Sequence, residues 1–313
     1  MILSCGEALI DMLPRETLAG EAAFAPYPGG AVFNTAIALG RLGCRAGFFS
    51  GLSTDLFGEL LAAALGNSGV TAGLAHRSAR PTTLAFVKLV EGHASYAFYD
   101  ENTAGRMLSP ADLPDLPAEV RALFFGGISL VAEPCGSAYE ALCRREAGAR
   151  LVMIDPNIRP GFIADEPAYR ARLARMIALA DIVKLSDEDL TWLEGSTDLD
   201  AMAQAVLARG PKLLFVTEGA KGAHGFSVRD RVFAPSRRVT VADTVGAGDT
   251  FNAGVLAALD RAGILAQDGA LAKEAVATAD AGLIRACLDL GVAAAAITVS
   301  RAGANPPWAS ELS

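Results

Sequence analysis

Short runs of β-branched and aromatic residues alternate along the chain with longer Ala/Leu-rich stretches of helical period. The short runs predict strands from Ile2 to Cys5, Ala46 to Ser50, Ala122 to Phe125, Leu151 to Ile154, Ile182 to Leu185 and Leu213 to Thr217. Between them, the period predicts helices from Val32 to Leu42, Phe57 to Leu65, Cys135 to Arg145, Ala168 to Leu179 and Leu199 to Ala208. Strand and helix in turn is the pattern of a doubly wound α/β fold, a mostly parallel central sheet flanked by helices. Two stretches of period two break it and predict antiparallel hairpins. One pairs Thr82 to Val90 with Ser95 to Tyr99 across Glu91-Gly92-His93; the other pairs Gly225 to Val228 with Val232 to Pro235. The first, with the segment around Ala22 to Tyr27, predicts a small β-sheet lid, about 11–28 and 82–105, set into a single domain spanning 1–313. From Thr250 onward the chain turns Ala-rich, with helices expected over Asn252 to Arg261, Ala270 to Leu290 and Ala293 to Thr298, until Pro306-Pro307 ends the pattern.

Composition narrows the function. At 313 residues and 52% hydrophobic, the chain has enough apolar surface for a large core, which excludes disorder. A formal net charge of -8, with no Lys/Arg run longer than two residues, leaves no field for a nucleic acid backbone, so a small molecule is the expected partner. The opening from Met1 to Asp11 lacks the basic and apolar regions of a secretory signal, and no stretch has the roughly 20 uninterrupted apolar residues of a membrane span; the expectation is cytoplasmic. Cys5, Cys44, Cys135, Cys143 and Cys287 are scattered, without a Cys-x-x-Cys pair, and read as reduced packing residues. The three histidines are not spaced to hold zinc.

The usual nucleotide motifs are absent: there is no Gly-Lys dipeptide for a P-loop and no Gly-x-Gly-x-x-Gly after a strand. A glycine turn entering a helix still aims unpaired N–H groups and a positive dipole end at an anion. Val241-Ala-Asp-Thr-Val-Gly-Ala-Gly-Asp-Thr-Phe-Asn-Ala-Gly254 has that form, read as strand, glycine turn and helix start. Gly246 and Gly248 flank Ala247, leaving the amides there open to a phosphoryl group. Asp249 at the helix mouth reads either as the N-cap of a helix beginning at Thr250 or as a carboxylate kept ionised by the helix dipole and able to act as a general base.

These residues resemble the ribokinase/PfkB-type carbohydrate kinase family, most closely its bacterial fructokinase members, over nearly the whole chain. Asp243-Thr-Val-Gly-Ala-Gly-Asp-Thr-Phe-Asn-Ala-Gly254 is similar to the C-terminal signature and Pro28-Gly-Gly-Ala-Val-Phe-Asn34 to Gly43 to the N-terminal one. The resemblance implies transfer of the γ-phosphoryl of MgATP to a hydroxyl of a free sugar, with D-fructose as first choice and 2-keto-3-deoxygluconate, ribose or a nucleoside as alternatives. It puts the catalytic base at Asp249 with Gly246, Ala247 and Gly248 as anion hole, and the sugar on Asp11, Gly29, Gly30, Asn34 and Arg159, with Asn157 of Asp155-Pro-Asn-Ile-Arg159 orienting substrate or water. ATP is implied at Lys184, Thr217, Gly219, Gly222 and Gly248. A potassium-type monovalent cation is implied at the Asp243 carboxylate and the carbonyls of Val245, Thr298, Arg301 and Gly303. The family's Mg2+-organising acid falls on Glu188 or Asp189 of Ser186-Asp-Glu-Asp189, where Ser186 also reads as a helix N-cap. Ala31 stands where ribose-using members often carry Lys, and no Arg directly follows Tyr99 as it does in several fructokinase relatives. Lid edges pairing between subunits would make a homodimer. An idle sugar or nucleotide sensor is the alternative of another class, disfavoured by the intact Gly-Ala-Gly-Asp segment.

Overall fold

The computed structural model describes residues 1–90, 93–196 and 198–312; Glu91 and Gly92 of the expected hairpin turn lie outside the described residues. In chain order the strands are β1 (Ile2–Cys5), β2 (Leu9–Glu16), β3 (Ala22–Gly29), β4 (Ala46–Phe49), β5 (Gly51–Ser53), β6 (Val70–Thr71), β7 (His76–Ser78) and β8 (Leu84–Val90). They continue as β9 (His93–Tyr99), β10 (Ala122–Gly126), β11 (Leu151–Asp155), β12 (Ile182–Ser186), β13 (Leu213–Thr217), β14 (Gly222–Phe226) and β15 (Arg231–Pro235). The helices are α1 (Ala31–Arg41), α2 (Leu56–Asn67), α3 (Cys135–Glu146), α4 (Glu166–Leu179), α5 (Asp187–Glu194), α6 (Leu199–Leu207), α7 (Ala247–Arg261), α8 (Gly269–Ala277) and α9 (Ala281–Val299).

The main sheet runs β15, β14, β13, β12, β11, β10, β1, β4, β6, parallel from β13 to β6 and closed at the other edge by antiparallel β14 and β15. Its strands read as unbroken apolar runs because both faces are covered. Ile2, Ala122, Phe124 and Met153 point into one core with α1, α7 and α9, while Leu3, Leu123, Phe125 and Ile154 point into a second with α3, α4 and α6. A smaller sheet, ordered β3, β2, β8, β9, is not hydrogen-bonded to the main one but joins its core through Ile10, Met12 and Leu84. All five cysteines are buried thiols, as expected.

Several boundaries depart from expectation. No strand precedes the glycine turn, since residues 236–246 form an extended loop. The β14 strand starts at Gly222 rather than Gly225, because its pairing with β13 reaches back to Ala223 opposite Thr217. The helix expected to run to Leu290 is broken earlier, where Asp280 caps α9 by accepting the Leu283 N–H at 2.9 Å. α9 then passes through Gly291 without a break. Gly291 lies where a Cβ would fall 2.7 Å from Phe251 Cδ2, so this glycine lets α7 and α9 pack closely. With a mean hydropathy of 1.7, α9 is long and apolar enough to cross a membrane, but it packs against α7, β14 and β15 as a core helix.

Candidate active site

The carboxyl ends of the parallel strands, the small sheet and the N-terminus of α7 surround a cleft of about 1140 Å³, on the side of the sheet where open α/β folds take ligands. At one end, β2 carries Asp11 into the cleft. Its neighbour Gly29 on β3 is buried beneath it: a Cβ there would meet Asp11 Oδ2 at 2.3 Å. Gly29 therefore makes room for this carboxylate rather than lining the cleft, which corrects its expected role. Gly30 does line the cleft, at φ +111° with no space for a side chain. Among the described residues no protein group hydrogen-bonds the Asp11 carboxylate, and burial pushes its pKa up to about 6. Such a group is an acceptor in need of donors, as sugar hydroxyls are. Arg159 lines the same end, with Nη1 donating to its neighbour's carbonyl, and Asn157 sits beside it at an unusual φ of +45°. Phe98 of β9 meets Phe162 edge to face at 4.4 Å, so the small sheet touches the core across this end.

The middle of the cleft holds Asp249. α7 starts at Ala247 with Gly246 at its N-cap in the left-handed region, where a side chain would strike Ala304. Asp249 thus lies inside the first turn and does not cap the helix, which disposes of the capping alternative. Its Oδ2 accepts from Asn34 Nδ2 at 2.9 Å, while Thr35 Oγ1 donates to its carbonyl at 3.2 Å, tying α1 to α7. The amides of Gly248 and Asp249 make no hydrogen bond among the described residues and stay available to an anion. The expectation that the helix dipole keeps Asp249 fully ionised is overturned. Burial dominates and pushes its pKa up to about 7; the Asn34 hydrogen bond and Lys184 pull it down, and Asp155 and Glu7 add to the rise.

Lys184 reaches this point from β12: a Cβ on Gly248 would lie 3.1 Å from its Nζ. Nζ donates to Asp155 Oδ2 at 3.0 Å, which also accepts from Asn252 Nδ2 at 2.7 Å. Burial works against the ammonium, yet Asp155, Asp189 and Asp249 around it prevail and raise its pKa. Asp155 and Asn252 had been given no role. The signal for Asp155 was its place at a strand end, opening the Pro-Asn-Ile-Arg loop.

Asp189 is placed differently from expectation. It closes a capping box with Ser186, its Oδ2 accepting the Ser186 N–H and its Oδ1 the Ile158 N–H at 2.9 Å. It therefore holds the loop after β11, and of the two expected acids Glu188 is the one left free, exposed at the cleft beside Asp187. Among the described residues no three His, Cys, Asp or Glu side chains are grouped to hold a metal ion on their own.

Thr217, Gly219 and Gly222 also line the cleft. Gly222, at φ +136°, has no room for a side chain, since a Cβ there would fall 2.2 Å from the Ala234 carbonyl oxygen. Val292, Ala295 and Val299 of α9 add an apolar wall, and Arg237 and Arg238, which the sequence reading passed over, line the mouth. Below the turn, Asp243 accepts the Val245 N–H at 3.1 Å and the Gly303 N–H at 2.9 Å, while the Ala242 and Asp243 N–H groups donate to the Val299 carbonyl. The segments carrying Asp243, Val245, Thr298, Arg301 and Gly303 are thus held side by side. The Arg301 side chain turns away to Glu311.

A helix start with free amides and a buried carboxylate in its first turn, set between the Asp11 pocket and an apolar wall, is the arrangement that a small-molecule kinase needs. The pfkB family carbohydrate kinase profile matches residues 1–311, and the chain belongs to this family. It is 56% identical to a fructokinase of Rhizobium leguminosarum bv. trifolii over 285 residues, 91% of this chain and 86% of that protein. The crystal structure of a fructokinase from Xylella fastidiosa with bound ATP superposes with a TM-score of 0.88 at 30% identity, covering 99% of this chain and 96% of that one. A Vibrio cholerae O395 fructokinase double mutant, solved with fructose, ADP and potassium ion, superposes at 0.82 with 26% identity, covering 97% and 93%.

The Asn34 bond sets a pH dependence. With Asp249 as base, kcat/KM for the acceptor rises with pH through about 7, because only the ionised carboxylate can take a proton. Asn34→Ala removes a hydrogen bond that favours the ionised form, worth about 1.5–3 kcal/mol to a charged group, so the acidic limb moves up by about one to two pH units. A pH profile of kcat/KM at saturating ATP checks this; an unmoved limb would show that Asn34 does not tune the base.

Proposed function

We propose that this carbohydrate kinase transfers the γ-phosphoryl group of MgATP to a primary hydroxyl of free D-fructose. The observation that carries the reading is the Asn34–Asp249 hydrogen bond, which puts the base of the α7 turn against the helix beside the Asp11 pocket. Asp11 and Asn34 bind sugar hydroxyls, and Arg159 closes that end. As the acceptor oxygen attacks, its O–H proton passes to Asp249, the new O–P bond forms, and the bond from the γ-phosphorus to the bridging oxygen breaks with its electron pair leaving on ADP. The free amides of Gly248 and Asp249, the α7 dipole and Lys184 face the charge on the transferring group. The apolar α9 wall suits the adenine, and Thr217, Gly219 and Gly222 the ribose and phosphates. The small sheet, pressed onto Phe162 through Phe98, keeps water from competing with the sugar.

Mg2+ would be held mainly by the ATP phosphates and its own waters, with Glu188 at the cleft the carboxylate that would hold those waters, and would supply charge neutralisation there. A potassium ion suits the Asp243 carboxylate with the carbonyls of Val245, Thr298, Arg301 and Gly303, an oxygen-only set, and would firm the turn carrying Gly246. The edge-to-face cluster of Phe24, Phe86 and Tyr99 on the small sheet, with Phe24 and Tyr99 exposed, is the surface for a homodimer. The buried thiols agree with a reducing cytoplasm.

An ADP-release assay across free sugars, run in potassium, sodium and tetramethylammonium buffers, tests the reading. Fructose is expected to be the preferred acceptor and potassium to give the highest rate. Preference for 2-keto-3-deoxygluconate, ribose or a nucleoside would reassign the acceptor, and equal rates in the three buffers would remove the potassium site.

A further inference from the structure

Helix α1 begins without a cap of its own. Gly30 at its N-cap has no side chain to offer, and its first turn carries no acidic residue. The cap comes from Glu7, in the turn between β1 and β2. Glu7 Oε1 accepts the N–H of Ala31 at 2.9 Å and of Val32 at 3.4 Å, while Oε2 accepts the N–H of Ser129 at 3.3 Å. Ser129 belongs to the 3-10 turn Ile128–Leu130 that follows β10. Two glycines make space for this carboxylate and its backbone. A Cβ on Gly127 would fall 2.0 Å from Glu7 Oε1, and one on Gly30 2.9 Å from the Glu7 carbonyl oxygen. Both oxygens are engaged by peptide groups, whose N–H bonds favour the ionised form while burial, the larger influence, raises the Glu7 pKa.

We infer that Glu7 is the positioning residue of the acceptor half of the cleft, a single carboxylate that locks the β1–β2 turn, the start of α1 and the Ile128 turn into one frame. The frame presents Gly30, Asn34 and Ile128, all of which line the cleft, to whatever lies on Asp11. It also fixes the first turns of α1, from which Asn34 reaches Asp249. No hydrogen bond of the Glu7 side chain reaches the Thr217–Gly222 loop or α9 among the described residues, so its influence falls on acceptor binding and, through Asn34, on Asp249, and spares ATP binding. The inference rests on reading the Asp11 end as the acceptor site.

The test is Glu7→Gln, which keeps the shape but turns one oxygen into a donor facing peptide N–H groups. The Michaelis constant for fructose is expected to rise about tenfold or more, with that for ATP unchanged. A merely structural loss would lower the active fraction and leave both constants alone. Asp11→Asn, measured alongside, examines the underlying reading: an unchanged fructose constant in that variant would overturn the acceptor assignment itself. If Asp11→Asn raises it and Glu7→Gln does not, or if Glu7→Gln raises both constants equally, the role of Glu7 is overturned. Glu7→Asp keeps the charge but shortens its reach by one methylene, and it is read by the same constants where the Gln variant yields no folded protein.

Discussion

Asp249→Asn is expected to lower kcat by about 10²- to 10⁴-fold, the usual contribution of a positioned general base, while leaving the protein as stable as its parent or more so at neutral and alkaline pH. Both effects come from the same placement. Asp249 is buried, with its carboxylate against Asn34 and near Lys184, so the group able to take the acceptor's proton is one whose ionisation the fold resists. Its folded pKa of about 7 lies above its ordinary value of 3.8. The ionised form therefore costs the folded state stability: the cost sets in as pH rises past the unfolded value and is complete above the folded one. The Asn variant carries no charge at this position, and its amide oxygen can still accept from Asn34. Its melting temperature should match or exceed that of the parent at pH 8, with the difference closing as pH falls from about 7 toward 3.8. Substantial turnover in the variant would remove Asp249 as base; a variant much less stable at pH 8 would show the carboxylate to be a structural anchor.

The strands and most helices were legible because both faces of the sheet are buried and its strands read as continuous apolar runs. The glycine turn was equally legible as an anion site, since its chemistry is local. What escaped the sequence was tertiary. Asp249 was read as ionised because the helix dipole can be inferred from one segment, whereas the desolvation that outweighs it comes from α1 packing over α7. Glu7 gives no signal of its own in the sequence, because its partners at Ala31, Val32 and Ser129 are peptide groups, which carry no side-chain signature. The resemblance leaves the Mg2+ role open between Glu188 and Asp189; the Ser186 N-cap, also visible in the sequence, is the feature that Asp189 completes. The break at Asp280 was likewise written as an N-cap, and the Ala-rich run on both sides hid it. Gly291 then looked like a helix end when it is a close-packing position against Phe251.

Lys184→Met tests the charge balance under the turn. It is expected to cost about 3–5 kcal/mol of stability, the usual result of removing one partner from a buried ion pair, together with most of the activity. Lys184 and Asp155 are both almost fully buried and share a 3.0 Å contact, with Asn252 completing the shell. The folded pKa of Lys184 is raised above its unfolded 10.5, so its stabilisation is fully present at neutral pH and would fade only as pH rises through that elevated value. Without the ammonium, Asp155 is left facing Asp189 and Asp249 uncompensated. Lys184 is also one of the two groups that pull Asp249 down, so the acidic limb of kcat/KM should move above 7. A second substitution separates the two roles. Asp155→Asn in the Lys184→Met background removes the orphaned charge and keeps an oxygen for Asn252, so most of the lost stability should return. Turnover should not, because the cation beside Gly248 that faces the transferring phosphoryl group is still missing. Chemical denaturation and steady-state kinetics on the parent and the two variants decide it: recovery of both in the double variant would confine Lys184 to holding the fold, and recovery of stability alone assigns it to the reaction.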